Sequence, residues 1–154
     1  MSPLTEEAEV GVADGAPSLD EHLERLRATY TRLDPAATAR AIAAGAVLVD
    51  IRPVAQRVVE GEVPGSVIVE RNVLEWRFAP SSGHRHPAAP GPGDDRTVVI
   101  MCSEGYASSL AAVSLRELGV ERATDLVGGF LAWQAAGLPV VPPASRARAV
   151  VPAV

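Results

Sequence analysis

Cys102 is the single cysteine of a 154-residue chain, and its surroundings are those of a nucleophile. It follows the apolar run Thr97-Val98-Val99-Ile100-Met101 and precedes Ser103-Glu104-Gly105-Tyr106-Ala107-Ser108-Ser109, which leads into a helical pattern. A thiol at the end of a buried strand, opening a tight loop onto a helix N-terminus, meets converging backbone N–H groups and the positive end of the helix dipole. The attacking form of sulfur is the thiolate, and an unperturbed cysteine titrates at about 8.5, so such surroundings matter at neutral pH. Gly105 lets the backbone take a conformation closed to bulkier residues. The N–H groups from Ser103 to Ser108 can then turn inward as an anion-binding nest. Ser108 is placed to cap the following helix and to donate to the sulfur. Glu104 opposes a thiolate unless it faces solvent. The competing reading is a buried, inert thiol, because free cysteine is among the most buried residue types.

Other chemistry-bearing residues are sparser. Asp50 and Arg52 flank the end of an apolar run and read as structural support for the site, a buried carboxylate with its ion pair; a strand-end cap with a surface salt bridge is the alternative. Arg71 follows a second strand, a ligand-facing position, and with Trp76 and Arg77 could form a positively charged rim; the alternative is solvated charge. His84 and His86 have no third ligand at useful spacing, so no metal site is expected. Trp133 reads as core.

These residues need a scaffold, and the chain supplies alternating strand and helix patterns. Residues 1–17 read as a mobile leader. Ser18 and Glu21 form a capping box for an amphipathic helix over 19–32, in which Leu19, Leu23, Leu26 and Tyr30 recur at helical spacing, a pattern that Leu33 extends. Asp34-Pro35 starts a second helix that runs through Ile42 and ends at Gly45. Short apolar runs predict strands at 46–50, 66–69, 97–101 and 123–126. Helices are expected at 53–60, 72–78, 107–118 and 130–136. Residues 79–95, rich in Pro, Gly and Ser, read as a long loop, and a loop of that length is functional or mobile. The tail over 142–154 shows no usable periodicity. Strands alternating with helices argue an α/β fold with a parallel sheet, whose ligands sit beyond the carboxyl ends of the strands. Asp50 and Cys102 both stand at such ends.

Composition narrows the function classes. Net charge is −5, and every one of the 14 basic residues is arginine, with no basic stripe for nucleic acid. One cysteine rules out an intramolecular disulfide and a multi-thiolate zinc site. The acidic first residues do not resemble a secretory signal, and no apolar run reaches membrane-spanning length. A cytoplasmic protein without cofactor, membrane or nucleic-acid partner is expected, and a reduced thiol suits that compartment.

Four segments, in order, resemble the single-domain rhodanese-like sulfurtransferases. Val49-Asp50-Ile51-Arg52 is similar to that family's Asp-x-Arg. Gly61-Glu62-Val63-Pro64-Gly65-Ser66 is similar to its Gly-His-Ile-Pro-Gly-Ala turn. Cys102 through Ser108 resembles its Cys-x-x-Gly-x-Arg-Ser loop. Gly128-Gly129-Phe130-Leu131-Ala132-Trp133 with Gly137-Leu138-Pro139-Val140 resembles its C-terminal signature. The resemblance implies an α/β, rhodanese-like three-layer domain over 35–141, preceded by the helical segment 18–34. A central parallel sheet of about five strands would be flanked by helices on both faces. It implies Cys102 as catalytic persulfide carrier, with Ser103, Glu104, Gly105, Tyr106, Ala107, Ser108 and Arg71 around the substrate. A small-molecule or protein sulfur donor and a thiol acceptor would be the partners. Two departures stand out: Glu62 replaces the family's His, and Ala107 replaces the loop Arg thought to attract an anionic donor such as thiosulfate. The related phosphatases and arsenate reductases close a longer loop on an oxyanion-gripping Arg, which is absent. The alternative is a catalytically weak module for ligand binding or redox sensing.

Overall fold

The run Val47-Leu48-Val49-Asp50 is apolar almost throughout, the pattern of a strand covered on both faces, and all four residues are buried. In the computed structural model, which describes residue 11 and residues 13–143, it forms β1 (Val47–Asp50) at an inner position of a parallel sheet. Its neighbours are β2 (Val67–Ile68) on one side and β3 (Val98–Met101) on the other, with β4 (Ala123–Asp125) beyond β3. Asp50 pairs with Ile68 and with Met101, and Ile100 pairs with Asp125. This register brings the carboxyl ends of β1, β3 and β4 level, so Asp50, Cys102 and Asp125 share one edge.

Among the described residues the sheet is accompanied by the α-helices α1 (Leu19–Arg27), α2 (Pro35–Ala43), α3 (Val54–Glu60), α4 (Leu74–Phe78), α5 (Ala107–Glu117) and α6 (Gly129–Ala135). The two-residue period of the strands sorts the core. Val47, Val49, Val98 and Ile100 face Leu74, Phe78, Ala111 and Leu115 from α4 and α5. Leu48, Val99 and Met101 face Phe130 and Trp133 of α6, with Ala39 and Ile42 of α2 alongside. Trp133 is buried as expected, and its indole N–H donates to the Pro139 carbonyl at 2.8 Å.

The sheet has four strands where about five were expected. The fifth position shrinks to one parallel bridge, Leu33 with Leu126. Leu33 N–H donates to Asp125 O at 3.1 Å, and Val127 N–H donates to Leu33 O at 2.8 Å. Asp34 then caps α2 at once, accepting from Ala37 N–H at 2.7 Å, and Pro35 has no N–H to extend a ladder. Helix α1 stops at Arg27, short of residue 32. The freed segment runs to the sheet edge, where Thr124 Oγ1 donates to Thr31 O at 2.7 Å. The strand expected at 66–69 is reduced to β2, and the helix expected at 72–78 begins as a 3₁₀ turn at Arg71–Val73. The leader over 1–17 and the tail over 142–154 lie mostly outside the described residues. Among the described residues, no helix is long and apolar enough to cross a membrane.

The long loop is tied to its surroundings. His86 stacks on Phe78 with ring centroids 6.3 Å apart, and its N–H donates to Arg77 O at 2.7 Å. Arg77 in turn donates to His84 O at 2.7 Å, and Ala89 is buried.

Candidate active site around Cys102

The chain leaves β3 at Met101 and turns sharply. Gly105, at φ +86°, points its N–H at Cys102 Sγ, 3.1 Å away. A Cβ at Gly105 would lie 2.7 Å from Gly128 N, so backbone packs against backbone where the loop meets the turn before α6. The N-terminus of α6 clasps the loop: Phe130 N–H donates to Cys102 O at 2.9 Å and Leu131 N–H to Ser103 O at 3.1 Å. Gly129 has no side chain because one would run into the Cys102 and Ser103 carbonyls. The thiol residue is 7% exposed.

One flank of the loop is a chain of charged groups. Asp50 and Arg52 are fully buried and form a two-point pair, Nε to Oδ1 at 3.0 Å and Nη2 to Oδ2 at 2.7 Å. Arg52 also donates to Gly61 O at 2.8 Å and to Glu60 at 3.2 Å, and it lies 4.2 Å over the Phe130 ring. Burial disfavours its charge, but the bonds and charges of Asp50 and Glu60 outweigh this and raise its pKa. Glu60 completes the link by accepting the Ser103 hydroxyl at 2.6 and 2.9 Å. At the departure Gly61-Glu62, the Glu62 carboxylate lies 3.5 Å from Arg57 Nε.

The other flank centres on Asp125, which is fully buried. Its Oδ1 accepts from Tyr30 at 2.7 Å and Arg32 Nε at 2.9 Å. Its Oδ2 accepts from Arg32 Nη2 at 3.0 Å, Ser108 at 2.8 Å and Ser109 at 2.9 Å. Burial pushes the Asp125 carboxyl up, yet the donors and the Arg32 charge overcome it and hold its pKa below the ordinary value. Burial first, and the Asp125 carboxylate beside it, raise the Tyr30 phenol to about 12 against the opposing effects of Ser109 and the Arg32 charge. Arg32, disfavoured by burial, is nonetheless raised by its hydrogen bond to Asp125 and that carboxylate's charge, with smaller contributions from Tyr30 and Cys102. Arg32 Nη2 also donates to Gly105 O at 2.9 Å. Arg27 Nη2 donates to the same oxygen at 2.7 Å, and Arg27 Nε to Ser109 Oγ at 2.8 Å.

The structure thus joins Cys102 and Gly105 and backs them with Asp50 and Arg52. Ser108 neither caps α5 nor touches the sulfur: the cap position falls on Tyr106 with no side-chain bond, and the Ser108 hydroxyl goes to Asp125. Ser108 is the second residue of α5, past the cap position, and its hydroxyl donates instead to a buried carboxylate in a charge-assisted bond. Ser103 is likewise committed to Glu60. Glu104, Tyr106 and Ala107 are exposed, so Glu104 faces solvent as expected. Arg71 is paired with Glu75 at 2.9 Å, and Glu75 also accepts from Ser114. The alternative reading of Arg71, Trp76 and Arg77 as solvated charge and surface cover fits better than a rim: both arginines bond locally and Trp76 is exposed. Among the described residues, no group of three metal-ligating side chains converges.

Sequence reasoning missed Asp125, Glu60, Tyr30, Arg27 and Arg32. Asp125 carried a usable signal, a carboxylate ending an apolar strand in the manner of Asp50. The arginines carried none, since their bonds to Gly105 span 78 and 73 residues.

Comparison with known proteins agrees with this architecture. The sequence profile of the rhodanese-like domain matches residues 34–136. A sulfurtransferase of Allochromatium vinosum is 32% identical over 97 residues, covering 63% of this chain and 79% of that protein. A Rhodopseudomonas palustris protein of unknown function, described as a possible tyrosine phosphatase, is similar in structure. It gives a TM-score of 0.71 at 28% identity, over 84% of this chain and 99% of that one. A thiosulfate sulfurtransferase from Pseudomonas aeruginosa shares the fold, with a TM-score of 0.58 at 22% identity over 72% of this chain and 19% of that one. The strand-end cysteine, its glycine-turned loop and the match over most of the chain lead to one conclusion: this protein belongs to the rhodanese-like domain family.

Proposed function

We propose that this protein is a sulfurtransferase that carries sulfane sulfur as a persulfide on Cys102. The carrying observation is the hydrogen bond from Gly105 N–H to Cys102 Sγ at 3.1 Å, made at the carboxyl end of an inner parallel strand. A donor aimed at sulfur favours its anionic form, the attacking species. In the first half-reaction the Cys102 thiolate attacks the donor's sulfane sulfur. The S–S bond to the donor breaks and the leaving group takes the bonding electrons; where the donor is a 2-oxo-3-mercapto acid its thiol sulfur is attacked, the C–S bond breaks, and the carbon leaves as an enolate that takes up a proton. In the second, an acceptor thiolate attacks the outer sulfur of the persulfide and Cys102 leaves as thiolate. No net oxidant or reductant is needed. The Asp50–Arg52–Glu60–Ser103 chain and the Asp125 cluster support this reading by fixing both flanks of the loop before substrate arrives.

Ala107 stands where a loop Arg would meet an anionic donor, so thiosulfate, a dianion, suits the loop less well than a donor of lower charge. The cytoplasm is the compartment that keeps such a thiol reduced. Nucleic acid and membrane are not among the proposed partners. A phosphatase reading lacks its oxyanion-gripping side chain, since Ala107 and Ser108 close the loop. The second reading, a binding or redox-sensing module, is favoured by the 7% exposure of Cys102. Intact-mass measurement after thiosulfate, 3-mercaptopyruvate and glutathione persulfide, in parallel, separates the two. The sulfurtransferase gains one sulfur, and a Cys102→Ser variant does not. Wild-type protein that gains none from any donor would be the module.

A further inference from the structure

We propose that Arg27 and Arg32, which precede the family-matched residues 34–136, are positioning residues that give the Cys102 loop the positive charge and anchorage it lacks in its own sequence. The proposal deepens the reading of Cys102 as a nucleophile, and it rests on thiol reactivity rather than on completed sulfur transfer.

The loop from Ser103 to Ser109 contains Glu104 and no basic residue. Its charge environment comes from elsewhere: Asp50 and Arg52 at the end of β1, Glu60 at the end of α3, Asp125 at the end of β4, and Tyr30, Arg27 and Arg32 from the N-terminal segment. On the β1 side carboxylates are in excess, with one guanidinium, Arg52, held by two of them. On the Asp125 side the balance is reversed: two guanidinium groups meet one carboxylate.

Arg27 is the informative member. Its described partners are all neutral, namely Ser109 Oγ, Gly105 O and the Tyr106 ring 5.7 Å from its guanidinium carbon. A partly buried cation surrounded by neutral partners is costly unless an anion lies near. Two anions connect to it: the Asp125 carboxylate, through the Ser109 hydroxyl that it shares with Arg27, and the sulfur of Cys102, as thiolate or persulfide, through Gly105, while Glu104 faces solvent. Both arginines bind the carbonyl of the residue whose own N–H meets that sulfur, at 2.7 and 2.9 Å on one side and 3.1 Å on the other. Gly105 is therefore pinned at both ends. Like charges converging on one oxygen repel each other, so a purely structural staple would need only one of them.

The test uses full-length protein and iodoacetamide, a neutral probe of thiolate, with alkylation of Cys102 followed by intact mass from pH 5.5 to 9.5. Arg27→Gln removes a charge that meets Asp125 only through the Ser109 hydroxyl. It is expected to move the pH–rate profile to higher pH by about half a unit, a roughly threefold slower reaction at pH 7. Arg27→Lys keeps the charge and should recover more than half of that loss. Arg32→Lys should slow alkylation also, because a point charge cannot hold Asp125 and Gly105 together. An Arg27→Gln protein that melts like wild type and alkylates on the same profile overturns the proposal. If Arg32→Lys does not fold, Arg27 still decides. Absence of persulfide from every donor would overturn the sulfurtransferase reading and leave this result standing.

Discussion

Asp125→Asn is the sharpest probe of how the loop is held. The carboxylate accepts five hydrogen bonds from Tyr30, Arg32, Ser108 and Ser109 with both oxygens fully buried. The amide keeps the shape but turns one acceptor into a donor. Ser108 and Ser109 can rotate and accept from it, whereas Arg32 cannot and loses its counter-charge. Breaking a buried pair from one side costs about 3–5 kcal/mol. Arg32 keeps 17% side-chain exposure, so water recovers part of the loss and about 3 kcal/mol is expected. For a chain of this size that is a fall in melting temperature of about 6–12 °C. The pH dependence carries the sign. The folded pKa of Asp125 lies below the ordinary 3.8, so between the two values the unfolded chain binds more protons. The contribution is complete above the unfolded value and is lost as pH falls through the folded one. Thermal melts from pH 7 down to pH 2.5 should show wild type losing stability below about pH 4, with a shallower loss in Asp125→Asn. A variant within about 1 kcal/mol of wild type at pH 7, or one with an unchanged acid slope, would refute the assignment of Asp125 as the anchor.

Two further variants test the other supports. Gly105→Ala forces a side chain into φ +86°, costing about 1–2 kcal/mol, and against Gly128 N at 2.7 Å, costing about 1–3 more. Its melt should fall and its Cys102 alkylation slow; wild-type values for both would show that the Gly105 N–H contact is dispensable. Asp50→Asn leaves the Arg52 cation buried with Glu60 as its remaining carboxylate, so urea unfolding should report a loss of about 3–5 kcal/mol. A loss under about 1 kcal/mol would mean that Glu60 and the Phe130 face suffice.

By itself the sequence determined the local events. Uninterrupted apolar runs specify strands at β1 and β3, Ser18 and Asp34 specify helix starts, and the Cys102 segment specifies a thiol at a strand end opening onto a helix. Each is set by residues a few positions apart, so it is legible in one dimension. The fifth strand was misjudged because Leu33 contributes a single bridge before Asp34-Pro35 diverts the chain, and one bridge leaves no periodic trace. Only the tertiary structure decided where the polar side chains go. Ser108 was placed by the sequence to serve the sulfur or a helix end. Its hydroxyl and that of Ser103 donate instead to Asp125 and Glu60, 17 and 43 residues distant, because a carboxylate is a stronger acceptor than a thiol sulfur and Ser108 falls inside the helix. The positive charge missing at Ala107 arrives from Arg27 and Arg32 for the same kind of reason: α1 packs on α5, and the register that aligns the ends of β3 and β4 puts Gly105 within their reach. Bonds closed across 73 to 95 residues depend on how elements stack, and no local pattern records that.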